Sequence, residues 1–354
     1  MDFIKYNIKE ESSLESIAKE KGESVKELLD FHNSNASITE QIYADYIPFH
    51  IKSLFLPGVK AARGDFEYDK SYKRSNARYR TEQVNITRIE EEVKSYSKLK
   101  KEYNFKLNLS KQQVEVSLLD YFYEFNPPAL SRIFDFISKI DFIRNNCLIK
   151  INTAGRFLKI DNKEVLQKKW EQFKKHELSD IEFVKVIKQT KPQEYENLLK
   201  QGDLQFSELY DDEKDFNRDL FYLVLLDKYL KVPHDQLESE IYEYQSQLFP
   251  DVVVPMNMRY DILKIEGDLV TLRKVWETIE SDELLEKISK GYEKYHQPLI
   301  KYKFSNYKLD MRNLFTFNHK TKVMINAELT IIENIENNIK SECIFNLKKI
   351  GDEE

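Results

Sequence analysis

Acidic side chains are the commonest groups in this chain able to act as acids or bases, and several stand in runs: Glu91-Glu92, Asp211-Asp212-Glu213 and Asp282-Glu283. Hydrolysis of a glycosidic bond needs two carboxyl groups held at a fixed separation. With 61 Asp and Glu among 354 residues, neighbouring carboxylates arise by chance, and these runs read as solvated turns. The six histidines, His32, His50, His176, His234, His296 and His319, never stand two to four residues apart, the spacing that turns two imidazoles toward one zinc ion. Neither Cys147 nor Cys343 has the flanking pattern of a thiol nucleophile, and no Gly-x-Ser-x-Gly elbow occurs. Gly58 and Gly64 are the only two glycines close together, and no Lys with Ser or Thr follows Gly64, so a phosphate-cradling loop is not encoded. No local motif names a reaction, a metal or a cofactor, and the expectation is a protein that binds without catalysing.

Two stretches could bind without catalysing. Lys70-Ser71-Tyr72-Lys73-Arg74-Ser75-Asn76-Ala77-Arg78-Tyr79-Arg80 is basic enough to meet RNA or a lipid headgroup, but the reading preferred for it is a solvated linker. A net charge of -6 argues against nucleic acid as a general partner, because phosphate contacts need concentrated positive charge. Tyr121-Phe122-Tyr123-Glu124-Phe125 could line an apolar ligand site, or simply pack as a strand.

Stepping outward to the elements, clean alternation at Phe105-x-Leu107-x-Leu109 and Val114-x-Val116-x-Leu118 predicts a hairpin, after an irregular strand at Val84-x-Ile86-x-x-Ile89. Pro127-Pro128 precedes a helix over 129–140, with Leu130, Ile133, Phe134 and Ile137 on one face. Gly155 takes the turn of a second hairpin between Cys147–Ile151 and Arg156–Ile160. Asp161 or Asn162 caps the next helix, and residues from there to about 244 read as helical, with 216–230 the most apolar helix. Hairpin strands around Gly267, a helix capped by Ser281, and strands near 300–309, 314–318, 323–332 and 344–350 complete the chain. Both body segments share a hairpin, helix, hairpin plan, which suggests an internal duplication.

The N-terminal residues carry the strongest signal. Tyr6-x-Ile8 opens a strand, Leu14-x-x-Ile17-Ala18 and Val25-x-x-Leu28-Leu29 give two short helices each with one apolar stripe, and Leu54-Phe55-Leu56-Pro57 closes a second strand. Ser24 with Glu27 is a capping-box pair, and Gly22 suits the turn between the helices. This βααβ succession resembles a LysM module, a small fold used by many bacterial proteins to hold the N-acetylated sugars of peptidoglycan or chitin. The resemblance implies a shallow glycan groove between the loop before the first helix and the loop after the second, which places Glu11, Ser12, Ser13, Leu14, Asn33 and Ser34 around it. Where the family has a Gly-Asp-Thr-Leu run, this chain has Glu11-Ser12-Ser13-Leu14, and only the leucine is retained. The second loop is also long, and Ile38, Ile42, Tyr43, Tyr46 and Ile47 make it apolar.

The fold expected is α+β: a βααβ head over 1–57, a linker over 58–81, an α+β domain with a helical block over 82–250, and a β-rich α+β domain over 251–354. The body is expected as curved antiparallel sheets, a duplicated half-barrel plan in which each sheet is covered by a helix or the two join into one incomplete barrel. With 41% hydrophobic and 33% charged residues the chain is globular, and no apolar run of about 18 residues suggests a transmembrane segment. Met1-Asp2-Phe3-Ile4-Lys5-Tyr6 enters the module with no basic and apolar leader, so a cytoplasmic location is expected, or the cell envelope if a signal has been removed. Two functions fit: a head that docks on peptidoglycan, or a structural or adaptor part of a phage-baseplate-like contractile injection or secretion assembly, with the same module docking on protein. Glycan docking requires an open groove around Ser12, Ser13, Leu14 and Asn33, whereas docking on protein requires the long loop to cover it or offer an apolar patch.

Overall fold

The structure, a computed structural model, describes residues 3–8, 13–21, 24–36, 41–44, 46–48, 51–57, 74–128 and 131–351. The chain divides into two compact units, Met1–Asp65 and Phe66–Glu354, and both sheets and helices make it an α+β protein.

In the first unit, β1 (Phe3–Asn7), α1 (Leu14–Lys21), α2 (Val25–Asn35) and β2 (Ser53–Pro57) follow one another. The two strands pair antiparallel, with Tyr6 opposite Leu54 and Lys5 opposite Phe55. Periodicity in the helices does what the sequence requires: Leu14, Ile17, Ala18 and Leu28 turn inward and meet Leu54 and Leu56 of β2. Ser13 caps α1 reciprocally, since the Ser16 N–H donates to Ser13 Oγ at 3.2 Å and the Ser13 N–H donates to Ser16 Oγ at 2.9 Å. His32 is buried in α2, stacks on Phe55 and accepts the Phe55 N–H through Nδ1 at 3.1 Å, tying the helix to β2.

The second unit holds one antiparallel sheet built from β3 (Arg74–Ile89), β4 (Glu92–Asn108), β5 (Gln113–Asn126), β6 (Asn146–Ile151), β7 (Phe157–Ile160), β8 (Glu240–Gln245), β9 (Val253–Glu266), β10 (Leu269–Thr278), β11 (Tyr307–Asn318), β12 (Met324–Ile335) and β13 (Ile339–Gly351). Its order is β7-β6-β5-β4-β3-β13-β12-β11-β10-β9-β8. Every neighbour in that order is consecutive in sequence except β3 and β13, the first and last strands, which pair from Ile89 opposite Ile339 to Arg80 opposite Lys348 and beyond. Read from β8, the sheet runs β8 to β13 and then β3 to β7, and each half has three strands, a helical connection and further strands. The connections are α3 (Ser131–Arg144) after β5, and α9 (Asp282–Tyr295) with α10 (Gln297–Ile300) after β10.

The sheet is curled. Seven inter-strand spacings separate β6 from β10, about 34 Å if the sheet were flat. Yet Arg156, in the turn after β6, and Lys274 of β10 both reach the carboxylate of Asp227, at 3.2 and 2.8 Å. Only an incomplete barrel whose open edges β7 and β8 approach each other allows this. Between those edges the chain inserts α4 (Lys163–His176), α5 (Glu182–Thr190), α6 (Pro192–Gln205), α7 (Glu213–Arg218) and α8 (Leu220–Leu225). Phe221 stacks on Tyr103 of β4 and Tyr229 meets Phe315 and Phe317 of β11, so this segment fills the concave side.

Several expectations are corrected. The expected boundary at 250/251 falls between β8 and β9, which are hydrogen-bonded neighbours, so strands on its two sides share one sheet. Of the expected linker 58–81, residues 58–73 lie outside the described residues and 74–81 belong to β3, where Arg78 and Arg80 of the basic stretch both pair with Glu102 of β4. The apolar helix expected over 216–230 is broken: Asp219 is extended, its carboxylate accepts the Phe221 N–H at 3.0 Å and starts α8 anew, and Asp227 is extended again before a 3-10 turn at Lys228–Leu230. Residues near 240 form strand β8 where helix was expected, and Ile300 ends α10 where a strand was expected to begin, the strand β11 starting only at Tyr307. Cys147 of β6 and Cys343 of β13 are buried and free, separated in the sheet by β5, β4 and β3.

Candidate functional site

The loop between α2 and β2 is built into the head. Ile42 and Ile51 enter its core beside Leu14 and Leu28. Asn33, at the end of α2, fixes this loop with both ends of its amide: Nδ2 donates to the Ile42 carbonyl and Oδ1 accepts the Ile42 N–H, each at 2.8 Å. The Gln41 amide donates to the Asn33 carbonyl at 3.1 Å. With Ile42 turned inward, the next residue faces out, and Tyr43 is 85% and Tyr46 69% exposed. Each tyrosine presents a broad apolar face with a polar tip, the combination that binding surfaces favour.

Of the six residues expected around a glycan groove, four are described, and each of these makes contacts within the head, with Ser13 and Ser34 exposed. Leu14 is 1% exposed and belongs to the core. Ser13 caps α1, Ser34 Oγ donates to the Asp30 carbonyl at 2.7 Å, and Asn33 holds the loop. Glu11 and Ser12 lie outside the described residues, as does Ile38 of the loop.

In the body, the aromatic strand of β5 packs on α3. Phe125 stacks on Phe134 with centroids 3.7 Å apart, Tyr123 lies 6.3 Å from the same ring, and Lys101 stands over Tyr121 at 4.8 Å. Packing accounts for these rings, and Phe122 alone of the five is an exposed aromatic.

Chemistry-bearing side chains that sequence spacing does not bring together meet in several places among the described residues. At the seam between β7 and β8, Asp227 accepts from Arg156, Lys274 and Tyr260, while Glu240 of β8 also takes Arg156 and Lys228. Burial opposes ionisation of Asp227, but Lys274 and Arg156 outweigh it and hold the carboxyl at about 2. The arrangement is a charged latch: Gly155, at φ +84, lets the β6–β7 turn close on the Asp227 carbonyl, which would stand 2.7 Å from a Cβ at that position. Elsewhere Glu333 of β12, fully buried, accepts from the Ser246 hydroxyl, the Gln247 and Leu248 N–H groups at 2.8 and 3.3 Å and the Tyr307 hydroxyl at 3.0 Å, anchoring the β8–β9 loop. Burial nevertheless raises its pKa. Third, His319 lies 3.7 Å from Asp268 near Lys322, whose burial pushes its ammonium down to about 7.

Among the described residues no group of three or more His, Cys, Asp and Glu could hold a metal ion, and no helix is long and apolar enough to cross a membrane. Comparison of the chain with protein-family models, and with curated proteins, finds no match.

Proposed function

We propose that the chain is a non-enzymatic binding protein, an adaptor or structural part of a multi-protein assembly of the contractile-injection or secretion type, which docks on a protein partner through its βααβ head. One observation carries the reading: the α2–β2 loop is clamped by Asn33 and drives Ile42 and Ile51 inward, while presenting Tyr43 and Tyr46 to solvent. Rigid aromatic side chains lose little entropy on binding and are enriched where proteins meet. The described side chains that the glycan reading needs are engaged within the head.

A second reading keeps the peptidoglycan ligand. It is favoured by the β-α-α-β order with antiparallel β1 and β2, the feature on which the LysM resemblance stands, and by the ability of exposed tyrosines to stack on sugar rings. Co-sedimentation of the full chain with purified peptidoglycan separates the two. Adaptor docking predicts no retention by the glycan, and capture of an assembly subunit in the native cell by a photo-crosslinker placed at position 43. Saturable retention on peptidoglycan, lost in Tyr43→Ala with Tyr46→Ala, would return the glycan reading.

A further inference from the structure

A hollow of about 330 Å³ opens between the concave face of β3 and β4 and the α7–α8 segment. Period-two alternation puts Thr81 and Gln83 of β3 and Lys101 of β4 on its one side, while α3 contributes Arg144 and α7 contributes Asp215 and Arg218. The rest of its lining is apolar and aromatic, with Leu99, Tyr103, Phe221 and Phe345 in it.

Part of this charge is already satisfied and part is not. Lys101 pairs with Asp141 at 2.7 Å, and Arg144 pairs with Asp141 and Asp219, both at 3.2 Å through one nitrogen, Nη2. Arg144 Nε is buried and has no acceptor among the described residues. Among the described residues the Asp215 carboxylate receives only the Tyr210 hydroxyl, at 2.9 Å on Oδ2, and the exposed Arg218 gives one hydrogen bond, to Gln245 at 3.0 Å. The Arg144 Nε is closed off from the hollow as well as from solvent, so a ligand here can meet this arginine only through the rest of its guanidinium. Donors from Arg144 and Arg218 require an anion or carbonyl oxygen, and the open Oδ1 of Asp215 suits an ammonium.

We infer that this hollow is a binding site for a small zwitterion of free-amino-acid to dipeptide size, its carboxylate met by Arg144 and Arg218 and its ammonium by Asp215. The volume is at the lower end of that for small-molecule sites. A purely anionic ligand would leave Asp215 facing it with like charge, and a neutral one would leave Asp215 and Arg218 without charged partners. The site is in the body and does not depend on the role of the head.

The test uses the full chain, thermal unfolding with the proteinogenic amino acids and L-alanyl-L-alanine, and calorimetry on the compounds that raise the midpoint. At least one zwitterion should bind saturably. Its N-acetylated and its C-amidated forms should each bind about tenfold or more weakly, since each loses one charge-assisted hydrogen bond. Asp215→Asn, which keeps an acceptor for Tyr210, should weaken the same ligand about tenfold with an unfolding midpoint close to that of the parent, and Arg218→Gln should weaken it likewise. No saturable binding by any compound, equal binding of either blocked form, or undiminished affinity in Asp215→Asn would each overturn the assignment.

Discussion

Lys274 and Asp227 show how much one pair of side chains carries. Both are almost fully buried, at 3% and 4% side-chain exposure, and the pair stands where the two open edges of the sheet come together. Removing the cation leaves a buried carboxylate with Arg156, Tyr260 and the Lys228 N–H, so Lys274→Met is expected to cost about 3 kcal/mol in urea unfolding. The same carboxylate sets an acid limit. Its folded pKa, about 2, lies below the ordinary 3.8, so its stabilisation is present above pH 3.8 and is lost as pH falls from there toward 2. Stability measured from pH 4 to 2 should fall, and the fall should be shallower in Lys274→Met. Thiol chemistry gives a second check: burial pushes both Cys147 and Cys343 up to about 12, so a thiol reagent at pH 8 should label neither in the native protein and both in urea. None of this was legible beforehand, because Asp227 lies 47 positions from Lys274 and 71 from Arg156, and spacing rules see only neighbours.

Elements defined by local rules were the readable part. Gly155 and Gly267 take their turns at positive φ, Ser281 caps α9 by accepting the Leu284 N–H, and the alternation at 105–118 produced the β4–β5 hairpin. Reading failed where burial on all sides erased periodicity, as in 216–230, and where a strand is defined by its partner, as in β8. In the head, the apolar spacing of α1 and α2 was legible, while the inward turn of Ile42 depends on Asn33. Asn33→Ala removes two hydrogen bonds from the α2–β2 loop and is expected to destabilise the head by about 1–3 kcal/mol, seen as faster amide exchange over residues 41–44. In α6, Gly202 lies against the fully buried Trp170 of α4, and a Cβ there would run into the indole. Alanine favours a helix by about 1 kcal/mol over glycine; here overpacking should reverse the sign, and Gly202→Ala should unfold about 1–2 kcal/mol more easily by chemical denaturation.

At the scale of the molecule, one sheet through the whole body replaces the two domains read from composition. Residues on either side of position 250 share hydrogen bonds, and β3 joins β13. The body is therefore expected to unfold in one cooperative step when amide exchange is followed across 74–351, and separately produced segments 82–250 and 251–354 should not fold alone; two independent transitions would restore the boundary. The β3–β13 pairing also bears on birth of the protein. Arg88 and Glu342 bond across 254 positions, and a ribosome adding about 5–20 residues per second needs tens of seconds to supply that partner. Throughout that interval one margin of an early hairpin waits bare, which makes the nascent polypeptide a natural client for chaperones until its final strand emerges.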